Sequence, residues 1–344
     1  MQEQTTQPGI VITMGPSLTD EAILREVLSN PVTHVRFNMS HGTKEEHKDR
    51  LSLVKKVSED LGKKLTLFVD LQGPKIRAIF DKDEILCRIG DVISISAPGE
   101  GGTLSTSIPD LYTYVHPGDT IAFHDGKILS TVREIKDTSI YCTITQEGTL
   151  LKNKGINIPG VDLPIASFTE KDKEDVLFAL EHSFDALALS FVRSKQDILD
   201  LRMFLEERSS HLPIIAKIET RQSLMRMNEI ITEIDMLMVA RGDLGIEIPV
   251  SEIPITQKEL CFIAKKYNVP VIVATEILKT MTENPFPTRA EVSDAMNALL
   301  DGASYLMLSD ETTTGKHPKD AVTVLSSVIG EYNDHHAKYA RFQK

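Results

Sequence analysis

The chain has 344 residues, 41% of them apolar and 26% charged, with a formal net charge of -12. That length suits one large barrel carrying an insertion, or two modest domains; the negative charge disfavours nucleic acid as a partner, and no apolar run approaches the ~18 residues of a membrane span. The polar opening MQEQTTQP lacks the features of a secretory signal, and the dispersed Cys87, Cys142 and Cys261 provide neither a disulfide framework nor a C-x-x-C metal pair, so a cytoplasmic protein without membrane contact is expected.

Taken in chain order, short β-branched runs alternate with longer segments of helical period. The runs are GIVITMGP from Gly9, HVRFNMS from His34 and LTLFVDL from Leu65, then, after an interruption, ALALSF from Ala186, PIIAKIE from Pro213, MLMVARGD from Met236, PVIVAT from Pro270 and YLMLSDE from Tyr305. Eight βα units predict a closed (β/α)8 barrel, an α/β fold. Thr43 with Glu46, Thr169 with Asp172 and Thr288 with Glu291 have capping-box spacing and mark helix starts, and Gly302 marks a helix end. The interruption of roughly ninety residues is too long for a plain loop and must fold separately. Its alternating runs, VISIS from Val92 and SIYCTIT from Ser139, are punctuated by glycine and proline, which predicts a small antiparallel β barrel or sandwich inserted after the third strand as a lid. The expected boundaries are 1–74 and 164–344 for the barrel and 75–163 for the lid.

Active sites of such barrels lie at the carboxyl ends of the strands. There the second run sends Arg36, Asn38 and Ser40 to one face by its two-residue period, the third ends in Asp70, the fifth pairs Lys217 with Glu219, the sixth pairs Arg241 with Asp243, and the seventh ends in Thr275. Salt bridges closing the barrel top would explain any one of these, but repetition over five strands points to a shared mouth. Two carboxylates from adjacent strands suit magnesium or manganese, and cations beside them suit a migrating phosphoryl group. DETTTGKH from Asp310 only superficially resembles a phosphate-binding loop, because Asp310 stands where its first glycine belongs and His317 where a hydroxyl is required.

The strings TMGPS, VRFNMSHG, DLQGPKIR, KGINIPG, LSFVR, AKIE, MVARGDLGIEIP, VATEIL and NPFPTRAEVSDAMNALLDGA closely resemble the pyruvate kinase family over nearly the whole chain. The resemblance implies phosphoryl transfer from phosphoenolpyruvate to ADP, giving pyruvate and ATP, with Mg2+ or Mn2+ on Glu219 and Asp243. It further implies that Lys217 contacts the phosphoryl group with help from Arg36, and that Thr275 orients proton delivery. Asn38, Ser40 and Asp70 would line the floor, the backbone of Ala240, Arg241, Gly242 and Asp243 would hold the substrate carboxylate, and Arg77, His41, Asn38 and Lys154 would meet the nucleotide.

Three departures modify that picture. Family members that bind K+ have a glutamate where this chain has Lys75; two like charges about 4 Å apart repel by roughly 4 kcal/mol at an effective dielectric near 20, so Lys75 is expected to replace K+ and make it unnecessary. The C-terminal domain usual in the family is expected to be absent, and with it regulation by sugar phosphates, while a homodimer through barrel helices around PTRAEVSD remains expected. Asp310 and Glu46 replace a glycine and a tyrosine near the mouth, leaving efficiency and nucleotide preference open. A metal-dependent phosphoenolpyruvate or pyruvate lyase and a non-catalytic paralogue are the competing expectations.

Overall fold

Runs of Val, Ile and Leu without polar alternation need cover on both faces, and they receive it. The computed structural model describes residues 7–339. Parallel strands β1 (Gly9–Thr13), β2 (Val32–Asn38), β3 (Thr66–Asp70), β4 (Ala186–Leu189), β5 (Ile214–Ile218), β6 (Met236–Ala240), β7 (Val271–Ala274) and β8 (Tyr305–Leu308) pair in sequence order, and β8 closes onto β1. Alternate residues divide the core in two. Val11, Phe68, Ala188, Ile215, Met238, Ile272 and Met307 plug the barrel interior. Their neighbours, such as Ile10, Ile12, Leu187 and Val239, face outward under the helices.

The helices are α1 (Glu21–Ser29), α2 (Lys44–Asp60), α3 (Glu170–Glu181), α4 (Lys195–Glu206), α5 (Arg221–Met225), α6 (Met227–Ile230), α7 (Arg241–Glu247), α8 (Ile253–Tyr267), α9 (Arg289–Asp301), α10 (Asp310–Thr313) and α11 (Pro318–Tyr339). The predicted capping boxes begin α2, α3 and α9, each side chain satisfying an otherwise orphaned N–H. Gly302 ends α9 at φ 109°, a left-handed conformation that glycine adopts without a Cβ penalty. Among the described residues no helix is long and apolar enough to cross a membrane.

Between β3 and α3 the strands Ile76–Ile79, Val92–Ser96, Leu104–Thr106, Thr120–Phe123, Ile128–Lys136, Ser139–Gln146 and Gly155–Asn157 close a second, smaller barrel. It has its own core, including Ile95, Ile121, Phe123, Ile128 and Cys142. One pair, Val92–Ser96 with Leu104–Thr106, is parallel, unlike the antiparallel expectation. The lid rests on α7: Gly126 lies against the Ile246 side chain, and Glu247 Oε2 accepts the Gly160 N–H at 3.3 Å.

Two strand assignments need correction. β6 stops at Ala240, and RGDLGIE coils into α7, with Asp243 favourably placed in its first turn. Arg241 and Asp243 therefore do not alternate on a strand, and Arg241 turns away to pair with Asp294. Likewise β2 ends at Asn38, and Ser40 lies in the following turn, its N–H donating to Asn38 Oδ1 at 3.1 Å.

Candidate active site

The period that fills the barrel interior also builds its mouth. Two residues beyond Val11, His34, Phe68, Ala188 and Ile215 stand Thr13, Arg36, Asp70, Ser190 and Lys217, which are joined by direct hydrogen bonds and ion pairs. Lys217 Nζ donates to Ser190 Oγ at 2.7 Å and lies 3.3 Å from Glu219 Oε2 and 3.4 Å from Asp70 Oδ1. Arg36 reaches Asp70 Oδ2 through both Nε and Nη2 at 2.6 Å, and Nη1 donates to Thr13 Oγ1 at 3.2 Å. Asp70 thus fixes both cations.

Burial opposes ionisation of Asp70, but the charges of Lys217 and Arg36 outweigh it and hold its pKa below the ordinary value. Burial likewise opposes the Lys217 ammonium, yet Asp70, Glu219 and Asp243 together raise its pKa. Glu219 is pushed up to about 7 by burial, with Asp243 adding to the rise and Lys217 opposing it.

Glu219 Oε1 accepts the Phe191 N–H at 2.6 Å, whereas buried Oε2 has no hydrogen-bond donor. An orphaned carboxylate oxygen beside a second carboxylate fits a hard dication. Among the described residues no group of three or more His, Cys, Asp or Glu forms a metal cluster, so Glu219 and Asp243 would leave several positions to water and substrate oxygens.

Next to this group a cleft of about 420 Å³ is lined by Met14, Arg36, Asn38, His41, Glu46, Arg50, Ser309 and Asp310, among others. The pKa of His41 is lowered by burial and then by Lys75, Arg36, Arg77 and Lys154, so four cations project their field onto this rim. Such a concentration of positive potential in a chain of charge -12 is suited to polyphosphate. Arg77 Nη1 donates to Asn153 O at 3.1 Å, and Lys154 is half-buried. Lys75 Nζ is 3.4 Å from Asp125 Oδ1 of the lid, and Asp310 pairs with Lys279. Glu46 is committed to the α2 capping box, where Oε2 accepts the Thr43 N–H at 2.8 Å.

Thr275 follows β7 and turns its hydroxyl toward α7, accepting the Gly242 N–H at 2.7 Å and donating to Ala274 O at 2.6 Å. Ala240 is buried beneath it, while Gly242 is exposed at the start of α7. Ser190 and Thr13 escaped the sequence reading, although their position two residues past inward-facing Ala188 and Val11 signals both. Lid-docking Glu247 carried no comparable signal.

Fold and mouth together define a lidded (β/α)8-barrel enzyme whose strand ends gather cations and carboxylates into one hydrogen-bonded and ion-paired group. The chain belongs to the pyruvate kinase family: residues 5–322 match the family described as "Pyruvate kinase, barrel domain". The pyruvate kinase of Thermotoga maritima is 39% identical over 326 residues, which cover 94% of this chain and 70% of that protein. The pyruvate kinase of Thermococcus litoralis is 39% identical, covering 93% and 68%, and "Pyruvate kinase 2" of Synechocystis sp. is 38% identical, covering 93% and 55%.

Proposed function

We propose that the chain transfers the phosphoryl group of phosphoenolpyruvate to ADP in the cytoplasm, yielding pyruvate and ATP. The observation that carries this reading is the pair of cations, Lys217 and Arg36, both ion-paired to the one buried carboxylate of Asp70 at the strand ends. Phosphoryl transfer needs positioning and charge neutralisation more than covalent chemistry by the protein. Lys217 and Arg36 neutralise the phosphoryl group as its bond to the enol oxygen breaks and a bond to an ADP phosphate oxygen forms. Asn38, Ser40 and Asp70 form the floor on which the substrate rests, and the backbone from Ala240 to Asp243 receives its carboxylate.

Glu219 and Asp243 would hold Mg2+ or Mn2+, which supplies Lewis-acid stabilisation of developing oxygen charge. Thr275, hydrogen-bonded to the Gly242 amide, orients delivery of a proton to the methylene carbon. His41, Arg77 and Lys154 receive the nucleotide phosphates, supported by the shared field on the His41 rim. Lys75, part of that field, supplies the positive charge that K+ would otherwise bring, so no monovalent ion is required. Closure of the lid over α7 excludes water, which competes with ADP for the phosphoryl group.

A homodimer through the barrel helices is supported by Val250, Ile255, Phe262 and Phe286, large apolar side chains exposed on or beside α8 and α9. The deciding experiment supplies phosphoenolpyruvate, ADP and Mg2+ and measures pyruvate and ATP together. Equal yields support the kinase; pyruvate consumption with an aldehyde and no need for ADP supports a lyase; binding without turnover supports a non-catalytic relative.

A further inference from the structure

Strand β7 runs into two consecutive non-glycine residues in left-handed backbone, Thr275 at φ 69° and Glu276 at φ 54°. For a β-branched residue this region is sterically costly, and such a conformation persists only where its surroundings impose it. Arg241 is the imposing group. Its Nε and Nη2 donate to Thr275 O at 3.2 and 2.7 Å, and Nη2 also donates to Glu276 O at 3.2 Å.

The guanidinium is itself fixed from the opposite side. Nη1 donates to both carboxylate oxygens of Asp294 at 2.9 and 2.8 Å, and to Gln257 Oε1 at 3.3 Å. The Arg241 side chain is only 9% exposed. Asp294 lies on α9 and Gln257 on α8, so the outer helices set the backbone at the mouth through one planar fork of donors. With Thr275 in this conformation, its hydroxyl meets the Gly242 amide.

We infer that Arg241 is a positioning residue for turnover, holding Thr275 in left-handed backbone so that its hydroxyl stays at the mouth. The kinetic consequence rests on the phosphoenolpyruvate reading, whereas the structural consequence does not. A lysine would keep the charge, but one ammonium cannot hold two carbonyls and a bidentate carboxylate together. A residue that only stabilised the fold would lower thermal stability without selectively lowering kcat.

The test combines Arg241→Lys, Arg241→Ala and Asp294→Asn with kinetics, Mn2+ titration and crystallography. For Arg241→Lys and Arg241→Ala, kcat is expected to fall about a hundredfold, with KM for phosphoenolpyruvate and Mn2+ affinity little changed. Added guanidinium should restore turnover to Arg241→Ala, and methylammonium should not. Crystals of Arg241→Lys should show Thr275 outside the left-handed region; if Arg241→Ala does not fold, Arg241→Lys and Asp294→Asn carry the comparison. Unchanged kcat in the arginine variants, or Thr275 retaining both its backbone conformation and its bond to Gly242, overturns the inference. A wild-type chain inactive on phosphoenolpyruvate sinks the functional reading instead, and the crystals still decide the positioning.

Discussion

Lys217 Nζ stands 3.3 Å from Glu219 Oε2, an oxygen that is buried and accepts no hydrogen bond. The contact is ionic, and the oxygen is left without a hydrogen-bond donor. A dication bound there would gain a strong ligand and relieve a buried, unsatisfied acceptor at once.

Removing that ligand should therefore act mainly on the metal. Glu219→Gln keeps the side-chain volume and the Phe191 N–H contact but loses the negative charge. Mn2+ affinity, read by electron paramagnetic resonance, is expected to fall at least tenfold, and turnover about a hundredfold or more. Unaltered Mn2+ affinity would remove Glu219 from the metal site.

The same residue sets a pH dependence. If Glu219 is a ligand, a dication must displace its proton, and burial raises that pKa to about 7. Above this value the carboxylate is already free; below it, each pH unit should weaken Mn2+ binding about tenfold until a second group titrates. Titrations at pH 8, 7 and 6 check the slope. An affinity independent of pH over that range would show that the proton is not in competition.

Lys217 is held by Ser190 and by carboxylates on two sides, so substitution affects more than one partner. If Lys217 neutralises the migrating group as proposed, Lys217→Met should lower kcat by about a hundredfold or more. Arg36 remains, so phosphoenolpyruvate binding should weaken far less than turnover. A steady-state comparison of kcat and KM separates the two effects, and a change confined to KM would count against a transition-state role.

The barrel was legible because strands buried on both faces lack polar alternation, and because Thr43, Thr169 and Thr288 declare their helices by local chemistry alone. Placing Lys217 and Asp70 on one inner rim required only strand period. Arg241 was less accessible: the switch from strand to helix after Ala240 falls inside a run compatible with either, and its partner Asp294 lies far along the chain. The left-handed Thr275 was hidden for the opposite reason, since its branched side chain argues against the conformation that Arg241 imposes. Ser190 was open to the same period argument that found Lys217.

Stability should respond to acid through His34, two residues before Arg36 on β2. This ring is buried against Tyr305, with centroids 4.3 Å apart, and burial lowers its pKa to about 4 from 6.5. With the folded pKa below the unfolded one, the unfolded chain binds the proton first. Stability from this group is present above pH 6.5 and declines as pH falls toward 4. Between pH 7 and pH 5 the loss should be about 2 kcal/mol. Urea unfolding of wild type and His34→Gln at both pH values tests it: the variant should begin less stable but lose less on acidification. Equal losses would assign the acid sensitivity to other groups.

Lys75 offers the most direct test of how this mouth obtains its positive charge. Its ammonium pairs with Asp125 across the lid turn at 3.4 Å and contributes to the field on His41. If that charge stands in for K+, wild-type turnover should be equal in potassium, sodium and tetramethylammonium salts at matched ionic strength. Lys75→Glu would then oppose a carboxylate to the substrate's charges and to Asp125, lowering turnover in tetramethylammonium by at least tenfold. Potassium, which a carboxylate can bind, should restore a large part of the loss, whereas Lys75→Ala should fall without comparable recovery because it has no oxygen to offer. Strong potassium stimulation of the wild type would mean that Lys75 serves only to fasten the lid turn.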